Sequence, residues 1–344
     1  MTDEPPQGTL SALVGAFTME GSEMKRLLII DALNLYFRNF IVNPSLSTNG
    51  QPIGGLKGFL QSLQKLGRET KPDAVIIAWD GAGGSRKRRQ QNKNYKAGRK
   101  PIRVNRDTSL SPDDQDRNRI WQQVRLMEYL NNLPVVQLQF EDVEADDVIA
   151  YITQMPNFKG WQKVIVSSDK DFLQLCDAET VLFRPIQKKV HNVNNVLEDF
   201  SIHPRNFAVA RSIVGDASDN LQGVPRAGLK SVAKRFTFLA EDRDITLGDV
   251  FEHCENSESK LKLYENILDY KDTIIQNYKL MQLYAPNLSL QCKQKALYAV
   301  DNFEYDYNRT ELIRMMNNDG FGVFNWDSLH GLMNRIAVDK PMHG

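Results

Sequence analysis

Short, continuous runs of apolar residues mark roughly the first 200 positions of the chain. Four of these runs are rich in β-branched residues and cover 27–30, 74–79, 134–140 and 163–166, and a fifth covers 180–185. Runs that do not alternate with polar residues are typical of strands buried on both faces of a parallel sheet. Helical periodicity lies between them, most clearly over 55–66 and 117–133. The alternation predicts an α/β fold, with a mainly parallel central sheet flanked by helices.

Beyond about residue 200, helical patterns replace the strands. Pro204 stands where a helix is expected to begin, and a long helical pattern runs over 259–283. Residues 1–24 are acidic and rich in small side chains, so we expect a flexible tail, and Met24 is an alternative start of translation. The predicted organisation is a tail over 1–24, an α/β domain over 25–200 and a helical C-terminal region over 201–344.

The composition is that of a globular protein without export or disulfide signals. Hydrophobic residues make up 41% of the 344 positions, and no apolar run approaches the roughly 18 residues of a membrane span. The first 24 residues contain no Lys or Arg to head a signal peptide, and the three cysteines form no CxxC pair. We therefore expect a soluble cytoplasmic monomer that does not associate with a membrane.

The formal net charge of zero conceals a strongly basic segment. Between Gly81 and Arg106 the chain carries ten basic residues, among them Arg86 and Arg99, and no acidic ones. Because like charges repel and few apolar residues accompany them, we expect this arch or loop over 81–112 to be mobile without a polyanionic partner. The glycine-rich stretch 81–84 at its start is interpreted as a flexible hinge.

Carboxylates gather where the predicted strands end. Asp31, Asp80 and Asp169 each follow a strand, and in an open α/β sheet such positions line the ligand crevice. A single Asp after a strand is more often a helix cap than a ligand. Several such residues at one edge of the sheet indicate a ligand site. The full set comprises Asp31, Asp80, Glu144, Asp146, Asp147, Asp169, Asp171, Asp216 and Asp219. Asp216 and Asp219 are expected to share one face at the end of a helix.

Nine carboxylates at one edge of a sheet require cations. Two of them about 4 Å apart repel by roughly 4 kcal/mol at an effective dielectric constant near 20. Oxygen donors without His or Cys favour Mg²⁺ or Mn²⁺ over zinc. The set divides into Asp31, Asp80, Glu144 and Asp146 on one side and Asp169, Asp171, Asp216 and Asp219 on the other, with Asp147 between them. Two ions beside a basic segment suit metal-assisted hydrolysis of a phosphodiester.

Several motifs resemble those of one nuclease family. The segments VEADDVIAYI, SSDKDF, GDASDN and GVPRAGLKSVAKRF follow one another along the chain. In order and spacing they are similar to the 5′ nucleases of the flap-endonuclease family, of the phage 5′ exonuclease or phage ribonuclease H type. They also resemble the 5′ nuclease domain of bacterial DNA polymerase I. The resemblance covers about 27–236 and implies a PIN-like 5′ nuclease fold.

The resemblance implies a divalent-metal-dependent 5′→3′ exonuclease and 5′ flap endonuclease. Such an enzyme removes RNA primers or displaced 5′ strands during DNA replication. Its substrates are DNA with a 5′ flap or 5′ end and RNA–DNA hybrids. A single-strand-binding protein or a replicative polymerase is an expected partner. If a phage encodes the chain, its location is the host cytoplasm.

The resemblance also assigns roles around the basic segment and the acidic set. Asp31, Asp80, Glu144 and Asp146 would serve the catalytic metal, and Asp147, Asp169, Asp171, Asp216 and Asp219 the second ion. In the segment NYKAGRKP, Lys96 is the implied catalytic cation and Tyr95 the residue that stacks on a base. Arg38 is an implied phosphate contact, and Arg86 and Arg99 are expected to contact nucleic acid as part of the basic segment.

The segment GVPRAGLKSVAKRF resembles a helix–three-turn–helix element, predicted here over about 204–236. Such an element grips the duplex backbone through loop amides, here around Gly223 and Gly228, through Lys230 and often through a bound K⁺. The family usually has glycine where Arg226 stands. We therefore expect Arg226 either to contact a phosphate directly or to leave a K⁺ site in place.

Two other functions remain open at this stage. A PIN-like single-strand ribonuclease would share the acidic α/β site but would lack the duplex-gripping element. A catalytically silent DNA-junction binder would gain nothing from nine carboxylates, because they repel a polyanion.

Overall fold

A six-stranded sheet forms the centre of the computed structural model, which describes residues 24–97, 110–259 and 261–341. The strands are β1 (Arg26–Asp31), β2 (Ala74–Trp79), β3 (Val136–Gln139), β4 (Gln162–Val166), β5 (Thr180–Arg184) and β6 (Lys189–His191). Their order is β3-β2-β1-β4-β5-β6, and all neighbours are parallel except β5 and β6. The five predicted strands are confirmed. The short antiparallel β6 was not predicted, because three residues carry no readable period.

Helices cover both faces of the sheet. The first are α1 (Ala32–Val42), α2 (Gly54–Thr70), α3 (Arg86–Gln91), α4 (Pro112–Leu130), α5 (Ala145–Gln154) and α6 (Val193–Phe200). They are followed by α7 (Phe207–Val214), α8 (Leu229–Arg235), α9 (Leu247–Asn256), α10 (Lys262–Asp269), α11 (Lys271–Met281), α12 (Leu290–Asp301), α13 (Arg309–Asn318) and α14 (Asp327–Asp339). Short 3-10 turns cover Pro156–Phe158, Lys170–Leu175, Pro204–Asn206 and Thr237–Ala240. The helices predicted over 55–66 and 117–133 correspond to α2 and α4.

Two hydrophobic cores lie on the two faces of the sheet. All six residues of β2 are buried, as expected for a strand covered on both sides. Val300 of α12 packs in one core, whereas Leu312 of α13 and Met333 of α14 pack in the other. The region after residue 200 therefore contributes to both cores. No helix in the described ranges combines the length and apolarity that crossing a bilayer requires.

The strand order places a crevice at the carboxyl ends of β1 and β4. From β1 the chain builds β2 and β3 on one side and later β4 and β5 on the other, so the direction of winding reverses between β1 and β4. Ligands of open α/β sheets bind at such a reversal. Asp31 ends β1 there, and Asp169 caps the turn that follows β4.

Two predicted helices differ from those observed. The pattern over 259–283 is divided into α10 and α11, because Tyr270 leaves helical geometry at φ −103° and ψ 17°. Asp216 and Asp219 do not lie on a helix, since α7 ends at Val214 and Gly215 follows at φ 73°. The expected start at Pro204 is confirmed by a 3-10 turn that leads into α7.

Candidate active site

The ends of β1 and β4 are joined by a buried serine. Ser167 donates its hydroxyl to Asp31 Oδ2 at 2.8 Å, and the same Oγ accepts the amide of Asp169 at 3.1 Å. On the other side of β1, Asp80 Oδ1 accepts the amide of Ala145 at 2.7 Å, which fixes the start of α5 against β2. These bonds hold three of the predicted carboxylates at one edge of the sheet.

Burial and neighbouring carboxylates raise the pKa values of Asp31 and Asp169. Burial, followed by the charges of Asp80 and Asp146, raises the pKa of Asp31 to about 7. Loss of solvent and the charges of Asp171, Asp146 and Asp31 raise the pKa of Asp169 to about 8. A bound cation would reverse both shifts, because it favours the ionised form.

Basic side chains of the protein offset the negative charge of Glu144. It caps α5 with only 3% of its surface exposed, and accepts Lys96 Nζ at 2.7 Å, Ser85 Oγ at 2.6 Å and the Tyr95 hydroxyl at 3.1 Å. Arg88 donates to Oε2, the oxygen that also accepts the Tyr95 hydroxyl. Burial alone would raise the pKa of Glu144, but Arg88 and Lys96 outweigh it and lower the pKa to about 2.

A second buried basic side chain, Arg211, pairs with Asp171 and Asp216. Arg211 of α7 is 2% exposed, lies 2.8 Å from Asp171 Oδ1 and also donates to Asp216. Burial raises the pKa of Asp216, yet its bonds with Ser218 and the charge of Arg211 leave it below its usual value. The backbone carbonyl of Asp219 accepts the backbone amide of Lys96 at 2.8 Å, so Lys96 connects Glu144 with the loop that carries Asp216 and Asp219.

Asp147 shares the Arg88 guanidinium with Glu144 and Asp146. Its Oδ1 accepts the amide of Asn287 at 2.9 Å, and its Oδ2 lies 2.9 Å from Arg88. Burial and the charge of Asp146 raise its pKa to about 6. Asp147 therefore connects α5 with the loop after α11.

The carboxylate oxygens of the acidic set are the donors that a hard divalent ion prefers. In this arrangement, however, they do not surround a common point. Throughout the described ranges, no three His, Cys, Asp or Glu side chains already surround a common point as ligands. The reason is local, because Arg88, Lys96 and Arg211 hold Glu144, Asp171 and Asp216 in ion pairs. Carboxylates with raised pKa values and oxygen-only donors suit Mg²⁺ or Mn²⁺ once these side chains exchange partners.

Tyr95 is not placed to stack on a base in this arrangement, which corrects the prediction. It is 3% exposed and packs with Leu221, Leu280 and Met281. The Lys96 ammonium lies 5.0 Å from the centre of its ring, and the Lys96 backbone is left-handed at φ 54°. Tyr95 therefore anchors Lys96 over the carboxylates.

The described part of the basic segment packs against neighbouring elements. Gly81, at the start of the predicted hinge, is closely packed, because a Cβ there would lie 1.7 Å from the carbonyl oxygen of Phe140. The carbonyl of Gln91 at the end of α3 accepts Gln276 Nε2 of α11 at 2.8 Å. Arg86 pairs with Asp142 at 3.1 Å on the surface. Residues 98–109, with Arg99, lie outside the described part of the chain.

The helix–three-turn–helix element is formed by α7, its following loop and α8. The amide of Val224 bonds to Ile213 O at 2.8 Å, and buried Asn277 donates to Ser212 O and Gln222 O. A Cβ on Gly223 would lie 1.8 Å from Val214 O, so the loop requires glycine there.

The loop exposes two cations. Arg226 is exposed at φ 67°, a conformation that glycine favours, and Lys230 is exposed on the first turn of α8. The amide of Gly228 bonds to Ser231 Oγ at 2.9 Å. Arg38 lies apart from this element, partly exposed on α1.

A family model and curated relatives match the sequence of this chain. A family model described as 5′-3′ exonuclease, N-terminal resolvase-like domain, matches residues 26–201. The 5′-3′ exonuclease of Aquifex aeolicus is 27% identical over 278 residues, which are 80% of this chain and 86% of that protein. The DNA polymerase I of Caldicellulosiruptor bescii is 30% identical over 244 residues, 69% of this chain and 26% of the polymerase. The chain thus spans about a quarter of the polymerase.

A solved structure shares the fold. The flap endonuclease of bacteriophage T5, in a pseudo-enzyme–product complex with DNA and metal ions, has a TM-score of 0.60 at 17% identity. The alignment covers 86% of this chain and 98% of the phage protein.

Proposed function

Because the chain belongs to the 5′-3′ exonuclease family, we propose that it is a divalent-metal-dependent 5′→3′ exonuclease and 5′ flap endonuclease. The observation that supports this most is the position of Lys96 at the carboxyl edge of the sheet, where its ammonium bonds to the Glu144 carboxylate and its backbone amide bonds to the backbone carbonyl of Asp219. Its substrates would be DNA with a 5′ flap or 5′ end and RNA–DNA hybrid. Removal of primers or displaced strands in replication is the corresponding cellular role, with a polymerase or single-strand-binding protein as partner.

Two Mg²⁺ ions are the proposed cofactors, with Mn²⁺ as a substitute. When bound, they supply a water of lowered pKa and offset charge on the attacking and leaving oxygens. Asp31, Asp80, Glu144 and Asp146 would hold the first ion, and Asp169, Asp171, Asp216 and Asp219 the second. Asp147, which the resemblance assigns to the second ion, is bonded to Asn287 and Arg88 and is left out of this set. Ser167 keeps the two groups in register through its bonds to Asp31 and Asp169.

Lys96 would act on the scissile phosphate. Its ammonium now bonds to Glu144 at 2.7 Å, and its backbone amide is fixed by Asp219 O. Transfer of the ammonium from Glu144 to the phosphate places a preorganised positive charge where negative charge develops. The exchange requires little movement, because the backbone of Lys96 is already held.

The helical region from residue 201 is the proposed duplex-binding unit. Lys230 and Arg226 are exposed on the loop and first turn of the helix–three-turn–helix element, where they can neutralise backbone phosphates. Arg38, Arg86 and the loop amides around Gly228 are further proposed contacts, and a K⁺ ion at the loop stays part of the proposal. This element favours a duplex-dependent nuclease over a single-strand ribonuclease.

A labelled 5′-flap duplex tests the proposal. We expect cleavage near the junction between single strand and duplex, dependent on Mg²⁺ and abolished by EDTA. A single strand of the same sequence should be cut much more slowly. Equal cleavage of both substrates would favour the single-strand ribonuclease, and junction binding without any cleavage would favour the silent binder.

A further inference from the structure

Arg88 is buried among the carboxylates of the candidate site. Its side chain is 5% exposed, and one guanidinium nitrogen donates to Glu144 Oε2. The same nitrogen lies 3.2 Å from Asp146 Oδ1 and 2.9 Å from Asp147 Oδ2. Its Nε donates to the carbonyl of Leu280 on α11 at 3.1 Å. One side chain therefore links α3, α5 and α11.

The other basic side chains near Arg88 on α3 are placed differently. The Arg86 side chain is 61% exposed and pairs with Asp142 at the surface, and Arg89 is exposed to solvent. A buried guanidinium is costly unless it is fully paired, so the position of Arg88 is set by the acidic groups around it. Nothing in the mechanism proposed above uses this charge.

We infer that Arg88 is a resident counter-ion that competes with divalent metal for Glu144 and Asp146 and positions α3 over the site. The inference rests on the proposed function, because it takes these two carboxylates to be metal ligands. In the metal-free protein Arg88 offsets the repulsion among the acids. When metal binds, Arg88 loses its ion pairs with Glu144 and Asp146. It remains bonded to Asp147 and to the carbonyl oxygen of Leu280.

The geometry explains why Arg88 can yield two partners and still stay in place. Asp147 is also held by the amide of Asn287, and Leu280 O belongs to a helix that does not carry any of the nine carboxylates. A guanidinium that remains about 5 Å from a divalent ion opposes its binding by at least roughly tenfold in Kd, the value obtained with the dielectric constant of water, about 80. Metal affinity is therefore set partly by Arg88.

Titration calorimetry with Mg²⁺ and Mn²⁺ on the full chain, without DNA, tests this inference. Arg88→Gln should bind both metals at least about tenfold more tightly than the wild type. Arg89→Gln, the matched control one residue away, removes the same charge from the exposed side of α3 and should stay within about threefold. Arg88→Lys keeps the charge and should also stay close to the wild type. A merely structural role predicts the opposite, namely weaker metal binding in Arg88→Gln.

A second measurement uses the wild-type protein and does not depend on the folding of a variant. Amide hydrogen exchange over 86–91 should accelerate when Mg²⁺ is added, because α3 loses two of its ion-pair partners, whereas exchange in the buried helix α2 should not. Unchanged or slower exchange over 86–91, or unchanged affinity in Arg88→Gln, would overturn the inference. A wild-type protein that binds no divalent metal would instead refute the proposed function.

Discussion

Individual cations determine the state of the acidic site. Arg88, Lys96 and Arg211 each satisfy carboxylates that the sequence already indicated as a cluster. The sequence could predict the nine acids, since strand ends and motifs mark them. It could not single out Arg88, because ten basic residues crowd one segment and only packing decides which of them is buried.

Replacement of Lys96 should lower the rate of cleavage, whereas replacement of Lys230 should weaken duplex binding. Lys96→Ala should lower the single-turnover rate at saturating enzyme by about 10²–10³, the range for one lost preorganised donor. Lys230→Ala should weaken duplex affinity and reduce the slope of log K against log salt by about one, with little effect on the saturated rate. Single-turnover kinetics combined with a salt titration separates them, and the reverse pattern would contradict the proposed roles.

Two substitutions of Arg226 separate the effect of its charge on duplex binding from the effect of its backbone strain on stability. Arg226→Gly and Arg226→Ala both remove the charge, so both should weaken duplex binding equally. Only Ala keeps a Cβ at φ 67°, so urea unfolding should show Arg226→Gly more stable than Arg226→Ala, by about 1 kcal/mol at most. Duplex affinities that stay at the wild-type level would show that Arg226 does not contact DNA.

At the scale of elements, hydrophobic runs predicted the strands well because burial on both faces leaves a continuous signal. The docking of α3 was not predictable, since a run of Arg, Lys and Gln looks like a solvated loop until Leu280 and Gln276 of α11 are known to lie against it. The break at Tyr270 was missed for a similar reason, because no Pro or Gly marks it.

Close packing around Gly223 should make the duplex-binding loop intolerant of a methyl group. Gly223→Ala places its Cβ 1.8 Å from Val214 O, so the loop must shift and duplex affinity should fall together with thermal stability. Gly331→Ala is the matched control, because its Cβ meets nothing within 4 Å inside α14. That control should gain roughly 0.5–1 kcal/mol. Equal stability of the two variants would show that the loop is not held as described.

In the molecule as a whole, the C-terminal helices complete both cores, so the acidic edge of the sheet and the proposed duplex-binding element share one framework. The sequence predicted helices there but not their partners, because a helical pattern does not specify which face of a distant sheet it covers. The long-range bonds of Arg88, Asn277 and Asp147 are features that only the fold reveals.

The raised pKa values predict how metal-free stability depends on pH. Asp31 and Asp169 have folded-state pKa values of about 7 and about 8, above the unfolded value of 3.8. Their contribution is full below the unfolded pKa and is lost as pH rises through the folded pKa, because the native protein must then carry buried charge. In EDTA, the melting temperature should therefore fall from about pH 4 to about pH 8 and level off above that. Mg²⁺ should remove most of this fall, and Asp31→Asn should reduce it.

We propose that these carboxylates hold the metals of a 5′ nuclease. Replacement of Asp146 is the most direct test of this proposal. Cleavage and binding of one labelled 5′-flap duplex should be measured in parallel for the wild type, Asp146→Asn and the control Asp142→Asn, which lies on the surface beside Arg86. Asp146→Asn should lose cleavage at moderate Mg²⁺ while binding the flap equally or more tightly, since it removes a ligand and a charge that repels phosphate. Asp142→Asn should cleave normally. Near-normal turnover in Asp146→Asn would contradict the account.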